Sequence, residues 1–178
     1  MRTTKKLILA AIAVSAGAAS AFATPGVQAQ TPSPSANKVL GTWRMVSAQI
    51  EQGGKTQPVY GDDPQGMLVF TPDMHFVEVL TDGAIPKFAA NARGQGTDAE
   101  NRAAMASSIG FFGTYSVDAQ GEFSGNRVLG STFPNWVDSV RTSKELSFVV
   151  NGDRMTENFQ RPEGSRVHIE WERVRSPN

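Results

Sequence analysis

Short β-prone segments separated by turn residues make up most of this chain from residue 40 onward. They recur at intervals of roughly ten residues, which is the spacing of strands in an antiparallel sandwich or barrel. The segments predict about eight strands, a number that closes into a barrel able to hold one small ligand. The sequence therefore predicts an all-β fold, an up-and-down antiparallel barrel.

The predicted strands end at turns rich in Gly, Asp, Asn and Pro, where positive φ angles or tight turns are tolerated. Their predicted ranges are residues 40–51, 66–71, 75–81, 109–117, 122–130, 138–150, 154–159 and 166–174.

One segment breaks this pattern between the third and fourth predicted strands. Thr97 and Glu100 have the spacing of a capping box, and residues 102–108 are rich in Ala and Met. We expect one short helix there. Because a Gly-rich stretch precedes it, the helix belongs to a lid-like excursion over one end of the barrel.

Residues 1–29 have the pattern of a signal peptide. Basic residues within the first six positions precede an uncharged run over residues 7–19, which is shorter than the ~20 residues of a membrane-spanning helix. Small residues favour cleavage after Ala23 or Ala29. We expect an exported protein, periplasmic or extracellular, without stable membrane insertion after cleavage.

Composition bounds the remainder of the chain. Residues 30–37 are polar and Pro-containing and predict a flexible tether, and residues 38–178 have a length that fits one domain. The chain contains no Cys, which excludes disulfides and thiol chemistry. Without the basic leader the chain is mildly acidic, so nothing indicates a nucleic-acid partner.

Gly41-Thr42-Trp43, at the start of the first predicted strand, resembles the Gly-x-Trp motif of lipocalins. Further segments extend the resemblance to the bacterial lipocalin-like domain family, of the calycin type. The segments that carry it are LGTWR at 40–44, GMLVFTPD at 66–73, PKFA at 86–89, FGTYSV at 112–117 and FPNW at 133–136.

In lipocalins this Trp closes the bottom of the barrel, and an Arg of the last strand lies across its ring. The resemblance therefore implies structural roles for Gly41, for Trp43 and for Arg173 or Arg175. A guanidinium over an indole face is a cation–π contact, which strengthens when it is shielded from water. The resemblance implies a ligand-binding barrel and says little about activity.

The loop at residues 133–136 is unusual in holding two aromatic rings and an amide around a Pro. It is suited to a stacking and hydrogen-bonding rim at the barrel mouth, or to an aromatic plug over the core. Lys87 is a candidate partner for a ligand carboxylate across that mouth. The predicted ligand-binding residues are Lys87, Phe88, Tyr115, Phe133, Asn135, Trp136 and Arg141.

Glu157 is the one candidate for catalysis. It alternates with Met155 and Phe159, so it is a buried acid if that strand face is the inner one and a solvated residue if the other face is inside. With the first orientation, Glu157 could move a proton while Tyr115 or Asn135 holds an oxyanion.

Two His are too few for a zinc site without carboxylates, and no cofactor or metal is expected. His168 shares a face with Glu170 and is expected on the wet surface, whereas His75 shares a face with Val77 and Val79 and is expected to point inward. Neither a phosphate-binding loop nor a nucleophile elbow occurs in the sequence.

The leading hypothesis is an exported protein that holds an apolar or amphipathic small molecule in its lumen, with a polar head at Lys87, Asn135 or Arg141. Two alternatives stay open. One is a cofactor-free isomerase or cyclase that uses an acid in the same cavity, and the other is a protein-interaction module with a filled barrel.

Overall fold

A computed structural model of the protein describes residues 37–175. The predicted signal peptide, both cleavage sites and most of the predicted tether lie outside the described residues. Asn37, which the sequence places at the end of the tether, is buried, and its Nδ2 donates a 2.6 Å hydrogen bond to the Tyr115 hydroxyl. Asn37 therefore packs against the domain.

The regular structure of the described residues is mostly β-strand. Its strands are β1 (Gly41–Gln52), β2 (Lys55–Pro58), β3 (Pro64–Phe70), β4 (His75–Asp82), β5 (Ser108–Val117), β6 (Phe123–Ser131), β7 (Val140–Thr142), β8 (Leu146–Asn151), β9 (Arg154–Gln160) and β10 (Arg166–Arg173). One α-helix, α1 (Asp98–Ala106), lies between β4 and β5, and a 3-10 helix covers Pro134–Trp136.

The strands pair antiparallel in the order β7-β6-β5-β4-β3-β1-β10-β9-β8, and β2 pairs with the end of β1. The first and last members of this order come together, because β8 packs beside β6 and β7. The result is a nearly closed antiparallel barrel, as the strand spacing predicts.

The barrel has more strands than the predicted eight. Residues 138–150, expected as one strand, form β7 and β8, because a turn intervenes in which Glu145 N donates to Thr142 O at 3.1 Å. The side chain of Glu145 also accepts from Thr142 N at 2.8 Å. This turn lets β7 pair with β6 while β8 pairs with β9, which brings the two ends of the sheet together.

The predicted helix is confirmed, and its capping box is formed. Thr97 Oγ1 accepts from Glu100 N at 3.3 Å, and Glu100 Oε2 accepts from Thr97 N at 2.7 Å. The second carboxylate oxygen of Glu100 accepts from Ala89 N at 2.8 Å, so one side chain joins two parts of the excursion. The helix itself contains no buried residue.

Large side chains fill the barrel interior. The least exposed are Trp43, Trp171, Leu68, Phe76, Leu146, Met155 and Ile169, each with under 2% of its surface accessible. Around Phe70, the Tyr115 ring lies edge-on at 4.8 Å and the Phe148 ring at 5.3 Å. Because such side chains have almost no accessible surface, a small molecule finds no room beside them.

The prediction that His75 points inward is wrong. His75 is exposed on the outer face of β4 with Val77 and Val79, each of which is 48% exposed, and its ring lies 3.4 Å from the Asp73 carboxylate. Valine fits either face of a strand, so a Val-x-Val alternation does not by itself identify the inner face.

His168 lies on the outer face of β10, as expected, and hydrogen-bonds Asn158 at 2.9 Å and Glu170 at 3.0 Å. Within residues 37–175, no group of three or more His, Asp or Glu side chains could hold a metal ion. In the same range, no helix has the length and apolar character to cross a membrane.

Candidate functional site

One end of the barrel is closed by Trp43 and Arg173. Trp43 is completely buried, and its Nε1 donates to Val39 O at 2.7 Å. The Arg173 guanidinium carbon lies 4.0 Å from the centroid of the Trp43 rings, whereas Arg175 pairs with Asp153. Arg173 is therefore the partner of Trp43.

Tyr115 belongs to this closed end. Its hydroxyl donates to Thr71 O at 2.8 Å and accepts from Asn37, and its ring packs against Phe70. The sequence predicted Tyr115 in the ligand site or as an oxyanion donor. Its hydroxyl instead joins the β3–β4 turn to the start of the domain.

Three charged side chains are buried in the middle of the barrel: Glu78, Glu157 and Arg141, with 3%, 5% and 6% of their surface exposed. Glu157 takes the inward orientation of the two left open by the sequence, and its Oε2 accepts from Trp171 Nε1 at 3.1 Å. Glu78 was missed by the sequence analysis.

Arg141 lies among aromatic rings. Its guanidinium carbon is 4.5 Å from the Trp136 ring centroid, 4.4 Å from that of Phe159 and 5.5 Å from that of Phe111. A cation held over ring faces and shielded from water gains more than an exposed one, which offsets part of the cost of burial.

Both buried acids have a raised pKa. Burial raises the pKa of Glu157 to about 7, although the Trp171 hydrogen bond and Arg141 act in the opposite direction. Burial, followed by the charge of Glu157, raises the pKa of Glu78 well above its usual value, and Arg141 opposes this. Two carboxyls that share one buried cation favour a state in which one of them keeps its proton.

A cavity of about 440 Å³ opens at the other end of the barrel; we call it the mouth cavity. The excursion, the 3-10 helix, the end of β9 and the β9–β10 turn surround it. Its apolar walls are made by Val59, Met105, Ala106, Ile109, Phe133, Trp136, Phe159 and Pro162, and its polar groups by Tyr60, Ser108, Arg161 and Glu163. The volume lies within the range of small-molecule sites.

The floor of the mouth cavity touches the buried charges. Trp136 and Phe159 line the cavity, and both rings also contact the Arg141 guanidinium beneath it. Tyr60 is buried, and its pKa is raised by burial first and then by the charge of Glu78. The mouth cavity therefore lies directly above Arg141.

The family model of the lipocalin-like domain matches residues 40–173. This chain belongs to the lipocalin-like domain family. The comparison with curated proteins found no match.

Solved structures similar to this lipocalin-like domain include a redesigned β-barrel, with a TM-score of 0.40 and 12% identity over 80% of this chain and 96% of that chain. They also include the tryptamine complex of the amine binding protein of Rhodnius prolixus, with a TM-score of 0.40 and 14% identity over 85% of this chain and 71% of that one.

The lipocalin-like domain brings together only part of the ligand site predicted from its sequence. Phe133 and Trp136 line the mouth cavity and Arg141 lies under it, but Asn135 and Lys87 are exposed and outside its wall. The 133–136 loop unites both expected roles, since Trp136 lines the cavity and also packs edge-on against Phe111 at 5.2 Å.

Phe88 packs within the excursion. A side chain at Gly96 would meet the Phe88 ring, and both Phe88 and Asn101 line a separate surface depression. The part of the excursion that covers the mouth cavity of the lipocalin-like domain is instead the end of α1, through Met105 and Ala106.

Tyr60, Arg161 and Met105 are cavity residues that the sequence analysis did not select. Arg161 stands in a predicted turn, Arg161-Pro162-Glu163-Gly164, and a local pattern identifies the turn without showing what it covers. Glu78, by contrast, has the same signal as Glu157, because it alternates with Phe76 and Leu80 on one strand face.

Proposed function

We propose that this protein binds a small, largely apolar molecule in the mouth cavity, above a barrel whose interior is filled. The observation that carries the proposal is a 440 Å³ cavity with mostly apolar and aromatic walls at one end of a lipocalin-like barrel. Removing the apolar surface of a ligand from water provides about 25 cal/mol per Å², and such walls supply that burial.

A second depression of similar size, about 460 Å³, is a weaker candidate. Its walls include Gln49, Glu51, Lys144, Glu145 and His168 on the outer side of the barrel. Polar and charged walls of this kind remain well hydrated and offer an apolar molecule little gain.

The excursion serves as the lid of the mouth cavity in this proposal. Met105 and Ala106 form one wall, yet no residue of α1 is buried, so the helix is held by few apolar contacts. Segments with few buried apolar contacts open at low free-energy cost, which would allow a ligand to enter.

The test is a titration with N-phenyl-1-naphthylamine, a neutral probe that becomes fluorescent in apolar surroundings. Ala106→Trp should fill the cavity from its wall and abolish probe binding. Ala103→Trp, which adds the same ring to an exposed helix position outside the wall, is the matched control and should bind as the wild type does. A flat titration of folded wild-type protein would reject the proposal.

A proton-transfer enzyme is the second candidate, favoured by one observation. Glu157 faces inward with a pKa of about 7, a value suited to moving a proton near neutral pH. Tyr115 lies at the closed end and Asn135 is exposed, so neither is placed to hold an oxyanion beside Glu157.

Exchange of the α-protons of 2-tetralone in D2O, followed by NMR, tests this activity. Wild type should accelerate exchange and Glu157→Gln should not. The exchange is measured at a ketone concentration that displaces the naphthylamine probe. Equal exchange rates with both proteins would reject the proton-transfer activity and leave ligand binding as the proposed function.

We also propose that the chain is exported, with the basic start and apolar run of residues 1–29 as the support. N-terminal sequencing of the exported protein should begin at Thr24 or Gln30. Recovery of the chain with Met1 intact in a membrane fraction would reject this.

A further inference from the structure

We infer that the ligand of the mouth cavity is an apolar carboxylic acid whose carboxylate binds to Arg161. The inference rests on the proposed function, since it names the chemical class that the same cavity takes. It starts from Arg161, a charged side chain on the mostly apolar wall of the cavity, which has a nitrogen without a hydrogen-bond partner among the described residues.

Arg161 has a buried Nε without a hydrogen-bond partner among residues 37–175. Its Nη1 lies 3.8 Å from Glu163 Oε1, which is too long for a hydrogen bond. Buried donors are almost always paired, because an unpaired one lowers the stability of the folded protein. Nε itself is covered, so a carboxylate in the cavity would bind the terminal Nη groups of a guanidinium to which Glu163 makes no hydrogen bond.

The backbone holds Arg161 in place. Arg161 N donates to Ser165 O at 2.9 Å, and Gly164 N donates to Arg161 O at 3.0 Å, which closes the β9–β10 turn. Its side chain is only 26% exposed. A guanidinium fixed at its base and shielded from water binds a carboxylate more strongly than a mobile surface cation does.

Tyr60 supplies a second polar group on the same wall. Burial is the main reason that its pKa is raised, so the phenol keeps its proton and its hydroxyl remains able to donate. Tyr60 and Arg161 both line the mouth cavity. Tyr60 is therefore placed to share an anion with Arg161.

Glu163 is the acid that opposes an anion here. Its carboxylate accepts from Ser165 Oγ at 2.8 Å, and its side chain is 52% exposed, so water screens much of its charge. The buried groups beneath the cavity are Arg141, which adds positive charge, and the two acids Glu78 and Glu157, whose raised pKa values limit their negative charge.

Apolar surface continues from Arg161 across the cavity. Trp136, Phe159 and Met105 line the same space, and aromatic faces accept a flat or aliphatic body equally. The arrangement fits a molecule with one carboxylate and an apolar body of moderate size. It offers less to a neutral molecule of the same shape, because Arg161 would then stay unpaired.

The test compares 2-naphthoate with 2-naphthamide as competitors of N-phenyl-1-naphthylamine. In the wild type, the acid should displace the probe at a concentration at least tenfold lower than the amide. Arg161→Met should abolish this preference, so that the acid and the amide displace the probe at similar concentrations. Arg102→Met removes one exposed arginine of α1 outside the cavity and should keep the preference.

Two further variants test the acid preference without relying on Arg161→Met alone. Glu163→Gln should raise the affinity for 2-naphthoate severalfold, because it removes the opposing charge. Arg161→Lys keeps a cation but loses the planar guanidinium, and it should reduce the acid preference. It serves as the test if Arg161→Met does not fold.

The outcomes separate the two proposals. If the neutral probe binds and both competitors act equally in the wild type, the mouth cavity binds ligands and the carboxylate inference is wrong. Preference for the acid that survives both Arg161 variants would also overturn it. If the probe itself fails to bind to folded protein, the proposed function has failed first.

Discussion

Arg173 covers the ring face of Trp43 and also binds the chain that precedes it. Its guanidinium carbon is 4.0 Å from the ring centroid, and its Nη1 donates to Leu40 O at 2.6 Å. The Trp43 indole donates to Val39 O at 2.7 Å. One segment before β1 is thus fixed by both side chains, which closes this end of the barrel.

We expect Trp43→Ala to lower the free energy of unfolding by roughly 3–5 kcal/mol, because it leaves a large cavity and an unpaired Val39 carbonyl. Arg173→Ala should cost less, about 1–2 kcal/mol, since the arginine side chain is 28% exposed. Chemical denaturation monitored by circular dichroism measures both.

The control is Arg175→Ala. The Arg175 side chain is 81% exposed and pairs with Asp153 at the surface, so its loss should change stability by less than about 0.5 kcal/mol. Equal effects of the Arg173 and Arg175 variants would contradict the assignment of Arg173 as the ring partner.

Gly41→Ala should be disproportionately destabilising. Gly41 has φ of 121°, and a Cβ there would lie 2.9 Å from Arg173 Nη1. We expect a loss of about 2–4 kcal/mol from backbone strain and displacement of the guanidinium. Gly152→Ala is the matched control, since φ is 62° with open space around it, and should cost about 1 kcal/mol. Similar losses in the two variants would show that the Arg173 contact adds nothing.

The features predicted from the sequence are those with a local, periodic signal. The helix cap at Thr97, the inward face of β10 and the strand limits around Gly152 each depend on residues close together in the chain. The Trp43–Arg173 pair is distant in sequence, and it was accessible only through resemblance to a known family.

The features that were missed depend on which turn covers which end of the barrel. Arg161 and Lys87 are both basic residues beside a proline, yet only Arg161 lines the mouth cavity. The split between β7 and β8 was missed for a similar reason. It lets the two ends of the sheet meet, and the residues of that segment alone do not show that it is needed.

Stability should fall as the pH rises through the pKa of Glu157. The usual pKa of 4.5 is raised to about 7 in the folded protein, so between these values the folded state binds more protons than the unfolded state. Stability is then highest below about pH 4.5 for this group and is lost up to about pH 7, by roughly 1–3 kcal/mol. Urea midpoints between pH 5 and 8 measure the slope.

Glu157→Gln should flatten this dependence, since the amide oxygen still accepts from Trp171 Nε1 but cannot ionise. The variant should match the wild type near pH 5 and exceed it near pH 8. Glu51→Gln, at an exposed position of β1, should leave the slope unchanged. An unaltered slope in Glu157→Gln would indicate that Glu78 alone carries the effect.

Trp136 contributes both to the wall of the mouth cavity and to the packing around Arg141. Its ring contacts Phe111 at 5.2 Å and Phe159 at 5.9 Å and covers Arg141, while its remaining surface lines the mouth cavity. Trp136→Ala should therefore weaken binding of N-phenyl-1-naphthylamine by about 1–3 kcal/mol through lost apolar contact. It should also lower stability by about 1–3 kcal/mol, because Arg141 loses one ring face and becomes more accessible to water.

Trp136→Phe separates the two effects. A smaller ring keeps a face for Arg141 and an edge for Phe111, so most stability should return while probe binding recovers only in part. Phe112→Ala removes an aromatic ring that is 52% exposed on the outer face of β5 and should leave probe binding unaltered. Fluorescence titration and urea denaturation on the same samples distinguish the results. A large loss of stability in Trp136→Ala with unchanged probe affinity would make Trp136 a plug of the core and move the ligand site elsewhere.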